Sequence, residues 1–135
     1  MSGAAIVREL LANHSPVLAL VPAGRIVTGI LSQHTSLPAI SVSTISENEE
    51  RTVARNMPVK MIRERVQVTV LAGGYVAMKQ ILKAAALGPG VHTGYVVGFK
   101  VCSVLPDGVG PEIPPGDDQI YEQSRDFMVT FIEAN

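Results

Sequence analysis

The stretch Lys60–Leu71, which reads KMIRERVQVTVL, decides the fold. Apolar and polar residues alternate along it with a period of two, which predicts a β-strand with one buried and one exposed face. The face predicted to be buried carries Ile62, Val66, Val68 and Val70. The opposite face carries Arg63, Arg65, Gln67 and Thr69. Glu64 falls on the apolar side, and we expect it at a point where the strand projects beyond the core.

Four further strands are predicted on either side of this one, because β-branched and aromatic residues recur there between turn signals. They are Arg25–Leu31, Leu37–Ser46, Thr93–Leu105 and Ile120–Glu133. Pro38 suggests an edge position or a strand entrance for the second strand, since proline cannot donate a hydrogen bond to a β-ladder. In the last strand, one face carries Tyr121, Phe127, Val129 and Phe131.

Two amphipathic helices are predicted, Ser2–Asn13 and Tyr75–Leu87, with a short turn at Pro16–Leu20 after the first. Each helix has one apolar stripe. These stripes are Ile6, Val7, Leu10 and Leu11 in the first helix, and Tyr75, Met78, Ile81, Leu82 and Ala85 in the second. The segment Gly88-Pro89-Gly90 ends the second helix.

The predicted order is therefore α-β-β-β-α-β-β. Two such helices cannot bury their stripes on each other and also cover a five-stranded sheet. We therefore predict an α+β fold: a two-layer sandwich with a mostly antiparallel sheet and both helices on one face. Val, Leu, Ile and Phe make up 41 of the 135 residues, which predicts one globular domain spanning residues 1–135.

Two connections are long for a compact domain, Glu47–Val59 and Pro106–Asp118. Such connections are usually functional or disordered, and both could reach beyond the body of the domain. The first connection has a second interpretation, as the extension of a long hairpin between the second and third strands.

Charge is distributed unevenly along the chain, whose net charge is −1. Residues 1–104 hold ten basic and five acidic side chains, and residues 105–135 hold one basic and seven acidic ones. Opposed zones on one chain suit self-association, whereas folding could equally mix both signs over one solvated surface. Arg63 and Arg65 could contact phosphates, but cross-strand pairing with acidic neighbours explains them equally well. The chain lacks the net basic charge and interleaved aromatics typical of nucleic-acid binding.

Other classes of site find little support. The apolar stretch Pro16–Ala23 is too short to span a membrane, and the single Cys102 excludes an intramolecular disulfide. The three histidines, His14, His34 and His92, are too scattered to predict a metal site. We predict no catalytic residue, cofactor or metal. The alternative is a small enzyme or ligand-binding domain around Gly73-Gly74 with Lys79 and Lys83.

A series of motifs runs nearly end to end. It consists of IVRELLANHSPVLALV, the strand start Gly24-Arg25-Ile26, LPAISVS, IRERVQVTVLA, YVAMKQILKAAAL, an acidic loop, Tyr121-Glu122 and RDFMVTFIE. In this order and at this length, the chain resembles the small tail completion, or tail terminator-like, proteins of long-tailed bacteriophages and prophages.

The resemblance implies an α+β sandwich and a structural role in virion assembly. Such proteins form a ring, commonly a hexamer, at the head-proximal end of the tail tube, where they stop tube growth and join tail to head. The implied partners are copies of the chain itself, the major tail tube protein and the head-neck connector proteins. The implied locations are the bacterial host cytoplasm during assembly and then the virion tail. Another neck or head-completion protein is the alternative within this setting.

A closed ring needs two different patches that meet between neighbouring subunits. Our interface hypothesis pairs a basic group on one subunit with an acidic group on the next. The basic group is Arg51, Arg55, Lys60, Arg63 and Arg65, and the acidic group is Asp107, Glu112, Asp117, Asp118 and Glu122. Rim ion pairs contribute about 0–1 kcal/mol each, so they would set register rather than supply most of the affinity.

Overall fold

The computed structural model describes residues 2–29, 36–50, 59–87, 93–116 and 119–134. The helices are α1 (Ser2–Ala12), α2 (Ser15–Leu18) and α3 (Tyr75–Ala84), with a 3-10 turn at Ala23–Arg25. The strands are β1 (Ile26–Thr28), β2 (Ala39–Glu50), β3 (Val59–Ala72), β4 (Gly94–Val96), β5 (Phe99–Val109) and β6 (Tyr121–Ala134). The α+β class is confirmed.

The described strands form one sheet in the order β1-β2-β3-β6-β5-β4. β1 runs parallel to β2, and the other neighbouring pairs are antiparallel. The hairpin interpretation of the first long connection is confirmed, because β2 and β3 stay paired as far as Glu50 and Met61. Pro38 stands at a strand entrance, directly before β2, which is not an edge strand.

The sheet has two different faces. The inner face carries the alternate residues of β3 that α1 and α3 cover, among them Ile62, Val66, Val68 and Val70, all buried. The outer face carries Arg63, Arg65, Gln67 and Thr69, none of which is buried. The alternation that predicted β3 is thus confirmed, and so is the division of the sheet into an apolar and a polar side.

A simple two-layer sandwich was expected, but the sheet curls. α1 contacts β1 at one edge of the sheet and β4 at the other, as well as β2, β3 and β6. A helix of 11 residues is about 16 Å long. A flat sheet of six strands is about 24 Å wide. The sheet therefore bends around α1, and this curvature could not be read from the linear order of elements.

The predicted element order is also wrong in one place. The expected strand Thr93–Leu105 is two strands, β4 and β5, joined by a tight turn at Val97 and Gly98. Both turn residues have positive φ, 44° for Val97 and 84° for Gly98. Two-residue hairpin turns with positive φ at both positions usually carry Asn-Gly. Because the β-branched Val97 is unusual in such a turn, the sequence did not indicate a turn here.

Glu64 does not lie beyond the core, as the sequence suggested. Its side chain is 1% exposed. Its Oε2 accepts hydrogen bonds from the backbone N–H of Gly3, at 2.9 Å, and from the hydroxyl of Thr44, at 3.1 Å. The carboxylate therefore sits at the N-terminal end of α1, where free N–H groups and the helix dipole favour negative charge.

Candidate assembly surfaces

The structure describes six of the ten residues in our interface hypothesis: Lys60, Arg63, Arg65, Asp107, Glu112 and Glu122. The other four, Arg51, Arg55, Asp117 and Asp118, lie outside the described residues. The described members do not form two separate zones. They fall into three places: the outer face of the sheet, the far end of the β2–β3 hairpin, and a segment that follows β5.

On the outer face, the two charge groups meet within one subunit. Arg65 lies 3.2 Å from a carboxylate oxygen of Asp107 and donates a hydrogen bond of 2.9 Å to Asp126. These contacts raise the pKa of Arg65, with the hydrogen bond to Asp126 as the largest cause. For Arg65, the cross-strand pairing that we kept as an alternative is confirmed. Its role toward a neighbouring subunit stays a prediction.

Carboxylates surround Lys60 at the far end of the hairpin. The Lys60 ammonium lies 2.9 Å from Glu49, with which it forms a hydrogen bond. This bond is the main reason why the pKa of Lys60 is raised, and the nearby charges of Glu133 and Glu47 add to it. Among the described residues, three carboxylates therefore act on the Lys60 ammonium at this end of the sheet.

The segment after β5, residues 110–116, is held against α3 and β6, and we call it the strap. The strap's Glu112 accepts a hydrogen bond of 2.8 Å from the Tyr75 hydroxyl and lies 2.5 Å from the Lys79 ammonium. Lys79 also donates a hydrogen bond of 2.6 Å to the side chain of Gln123 on β6. The Gln123 amide in turn donates to the Gly110 carbonyl at 2.8 Å.

Two backbone hydrogen bonds also hold the strap. The Gly110 N–H donates to the Ser124 carbonyl at 2.8 Å, and the Ile113 N–H donates to the Glu122 carbonyl at 2.9 Å. The rings of Tyr75 and Tyr121 meet edge to face, with centroids 6.2 Å apart. Tyr75 was predicted to be a core residue of its helix, but it is 46% exposed because its hydroxyl reaches the strap.

The strap contacts shift the ionisation of all three partners. The Lys79 ammonium, followed by the Tyr75 hydroxyl, holds the pKa of Glu112 below its ordinary 4.5. Glu112 in turn raises the pKa of Lys79 and of Tyr75, in each case chiefly through a hydrogen bond. Lys79, which the alternative interpretation assigned to a ligand-binding or enzyme site around Gly73-Gly74, thus contacts the strap through Glu112.

A cavity of about 550 Å³ opens between the N-terminal part of α1 and the sheet. Its lining residues are Ala4, Ala5, Thr28, Gly29, Val42, Ser43, Thr44 and Phe99. Three of these side chains carry hydroxyl groups, and none is ionisable. The described part of the lining therefore holds none of the convergent charged or titratable groups that we took as the sign of an enzyme.

Arg125 is a candidate residue that the sequence reasoning missed. It lies on β6, cross-strand from Val68, and therefore on the inner face. Its Nε atom is buried and has no hydrogen-bond partner. Alternation along β6 could have revealed it, because Arg125 shares the parity of Phe127, Val129 and Phe131, which form part of the core.

Two further kinds of feature are absent from the part of the chain that the structure describes. No group of three or more His, Cys, Asp or Glu side chains there could hold a metal ion. None of the described helices is both long enough and apolar enough to cross a membrane.

The whole chain is similar in fold to a chain in the solved structure of the virion of the native gene transfer agent particle. The TM-score is 0.64, and the match covers 98% of this chain and 97% of that chain at 14% sequence identity. No protein-family model matches the sequence, and no curated protein matches it. At this identity, the similarity establishes a shared fold.

Proposed function

We propose that this chain is a structural protein of a phage-like virion. The single observation that carries the proposal is the match in fold to a chain of a gene transfer agent virion along almost the full length of both chains. Two further observations support it. The sequence resembles tail completion proteins nearly end to end, and none of the described residues that line the cavity beside α1 is ionisable.

Within the virion, the proposed place is the head-proximal end of the tail tube. There the chain forms a ring of six copies, ends the growth of the tube and joins the tail to the head. It performs no catalysis, and it acts through the surfaces it offers to its own copies, to the tail tube protein and to the connector proteins. It assembles in the host cytoplasm and remains in the virion tail.

Deletion of the gene tests this role, with electron microscopy of the particles as the measurement. A chain that ends tube growth predicts tails of uncontrolled length and heads without tails when it is missing, with both defects corrected by a plasmid copy. Tails of normal length beside unjoined heads would instead indicate the alternative, another neck or head-completion protein. Normal, joined particles in the deletion strain would contradict both roles.

A further inference from the structure

Arg125 occupies an unusual place for a charged side chain. On the inner face of β6, its cross-strand neighbours are Val68 on β3 and Val109 on β5. Phe127, two residues further along the same face, is fully buried. Arg125 itself is only partly exposed, so its guanidinium lies at the border between the core and solvent.

The other described arginines whose contacts are known differ from it. Arg65 pairs with two carboxylates, and Arg8 donates to the carbonyls of Ile26 and Ala23. For Arg125, no hydrogen bond or ion pair to another residue is found in residues 2–29, 36–50, 59–87, 93–116 and 119–134. Burial alone lowers the pKa of its guanidinium, with no neighbouring charge acting against that effect.

The buried Nε–H of Arg125 is unfavourable for the stability of the isolated subunit. Removing an N–H group from water costs free energy unless an acceptor replaces the solvent, and Nε has no acceptor. An apolar side chain of similar length would pack beside Val68 and Val109 without this penalty. The arginine therefore fits a surface that is completed by an acceptor from outside the subunit.

The opposite end of the same face has the complementary excess. Val68 and Lys60 are eight residues apart on β3, which corresponds to about 26 Å. Among the described residues near Lys60, the carboxylates of Glu49, Glu47 and Glu133 outnumber the single ammonium. Within the described part of the face, one end thus has a cation without an anion, and the other end has more carboxylates than ammonium groups.

We propose that Arg125 donates hydrogen bonds to a carboxylate of Glu47 or Glu133 from a second copy of this chain. The contact is head to tail, because it joins different ends of two identical subunits, as a ring or an open stack requires. Val109, which is 51% exposed, lies beside Arg125 and would supply apolar contact around the ion pair. This inference rests on the proposed function only in that both require contact between copies.

Three variants test the contact: Arg125→Met, Arg125→Lys and Lys100→Met. Lys100→Met is the matched control, because it removes one positive charge from an exposed side chain on β5. Self-association is measured by sedimentation velocity over a range of concentrations, and thermal unfolding is measured at the lowest of them. We expect Arg125→Met to weaken self-association at least tenfold and to raise the melting temperature by about 3 °C or more.

The other variants separate the contact from a general charge effect. Arg125→Lys should weaken association less than Arg125→Met, because lysine keeps the charge but loses the forked donor geometry. Lys100→Met should leave both measurements near the wild-type values. The double variant Glu47→Gln/Glu133→Gln should by itself weaken self-association. When it is combined with Arg125→Met, self-association should become little weaker than with Arg125→Met alone.

Several results would overturn the inference. They are wild-type association of Arg125→Met, a lower melting temperature of that variant, or a wild-type chain that stays monomeric up to about 1 mM. The proposed function fails separately, if the chain is missing from purified particles. Particles that contain the protein in unchanged amount with Arg125→Met would reject this contact and leave the virion role intact.

Discussion

The approach of Gly3 to Glu64 shows how one residue positions a helix. A Cβ atom added at Gly3 would lie 2.2 Å from Glu64 Oε2, far inside any permitted contact. Glu64 is buried and holds both Gly3 and Thr44 through its carboxylate, so it has no free direction in which to move. The absence of a side chain at Gly3 is what lets α1 begin directly on the sheet.

This close approach predicts the effect of Gly3→Ala. Alanine usually stabilises a helix relative to glycine by about 1 kcal/mol, but here the added methyl group collides with the buried carboxylate. We expect a loss of about 1–3 kcal/mol in the free energy of unfolding, measured by urea denaturation.

Gly24→Ala is the control for this prediction. Nothing lies within 4 Å of a Cβ at Gly24, so we expect its stability to stay within about 0.5 kcal/mol of the wild type. A Gly3→Ala variant as stable as Gly24→Ala would show that Glu64 does not fill the space beside Gly3.

At the residue scale, the sequence revealed only part of this arrangement. Alternation along β3 placed Glu64 correctly on the apolar face, but its two donors lie 61 and 20 residues away along the chain. Local patterns carry no information about partners at such separations. Alternation along β6 could have placed Arg125 on the inner face, but it could not have shown that the Nε atom of Arg125 has no acceptor there.

At the element scale, the strap shows how a proline- and glycine-rich connection becomes ordered. Sequence composition indicated a loop from Pro106 onward, whereas β5 continues to Val109 and residues 110–116 are bound to α3 and β6. Side chains on two other elements make these contacts. The turn between β4 and β5 was not predicted for a different reason, because Val97 adopts a positive φ that its side chain disfavours.

The strap contacts predict a dependence on pH. The folded-state pKa of Glu112 lies below its ordinary 4.5, so its stabilising contribution is present above pH 4.5. It is lost as the pH falls through the lowered value. The raised pKa of Lys79 means that its contribution is present below pH 10.5 and is lost as the pH rises through the raised value.

NMR can follow this transition at the backbone amide of Ile113, a strap residue whose N–H donates a hydrogen bond to the Glu122 carbonyl. We expect its chemical shift to move as the pH is lowered from 7 to below 4.5. In Glu112→Gln the ordinary titration of this carboxyl is absent, so the shift should change much less over the same range. If the Ile113 chemical shift of the wild type changed as little over this pH range as that of the variant, Glu112 would not hold the strap.

At the scale of the whole molecule, the alternation of β3 and the two amphipathic stripes were enough to predict the α+β class and most of the core. The curl of the sheet was not predictable, because it depends on how α1 packs across strands that are distant in sequence. The arrangement of charged residues in the folded subunit was not predictable from the sequence either. Arg65 and Asp107 stand in opposite charge zones of the sequence, yet they meet in the folded subunit.

The composition of purified particles tests the central claim most directly. Particles from the native source should be purified on a density gradient, and this chain should be quantified against the portal protein by mass spectrometry with isotope-labelled peptides. The proposed ring at the tail end predicts about six copies per particle, because the tail completion proteins that the sequence resembles commonly form hexamers. Absence of the chain from intact, tailed particles would contradict the account.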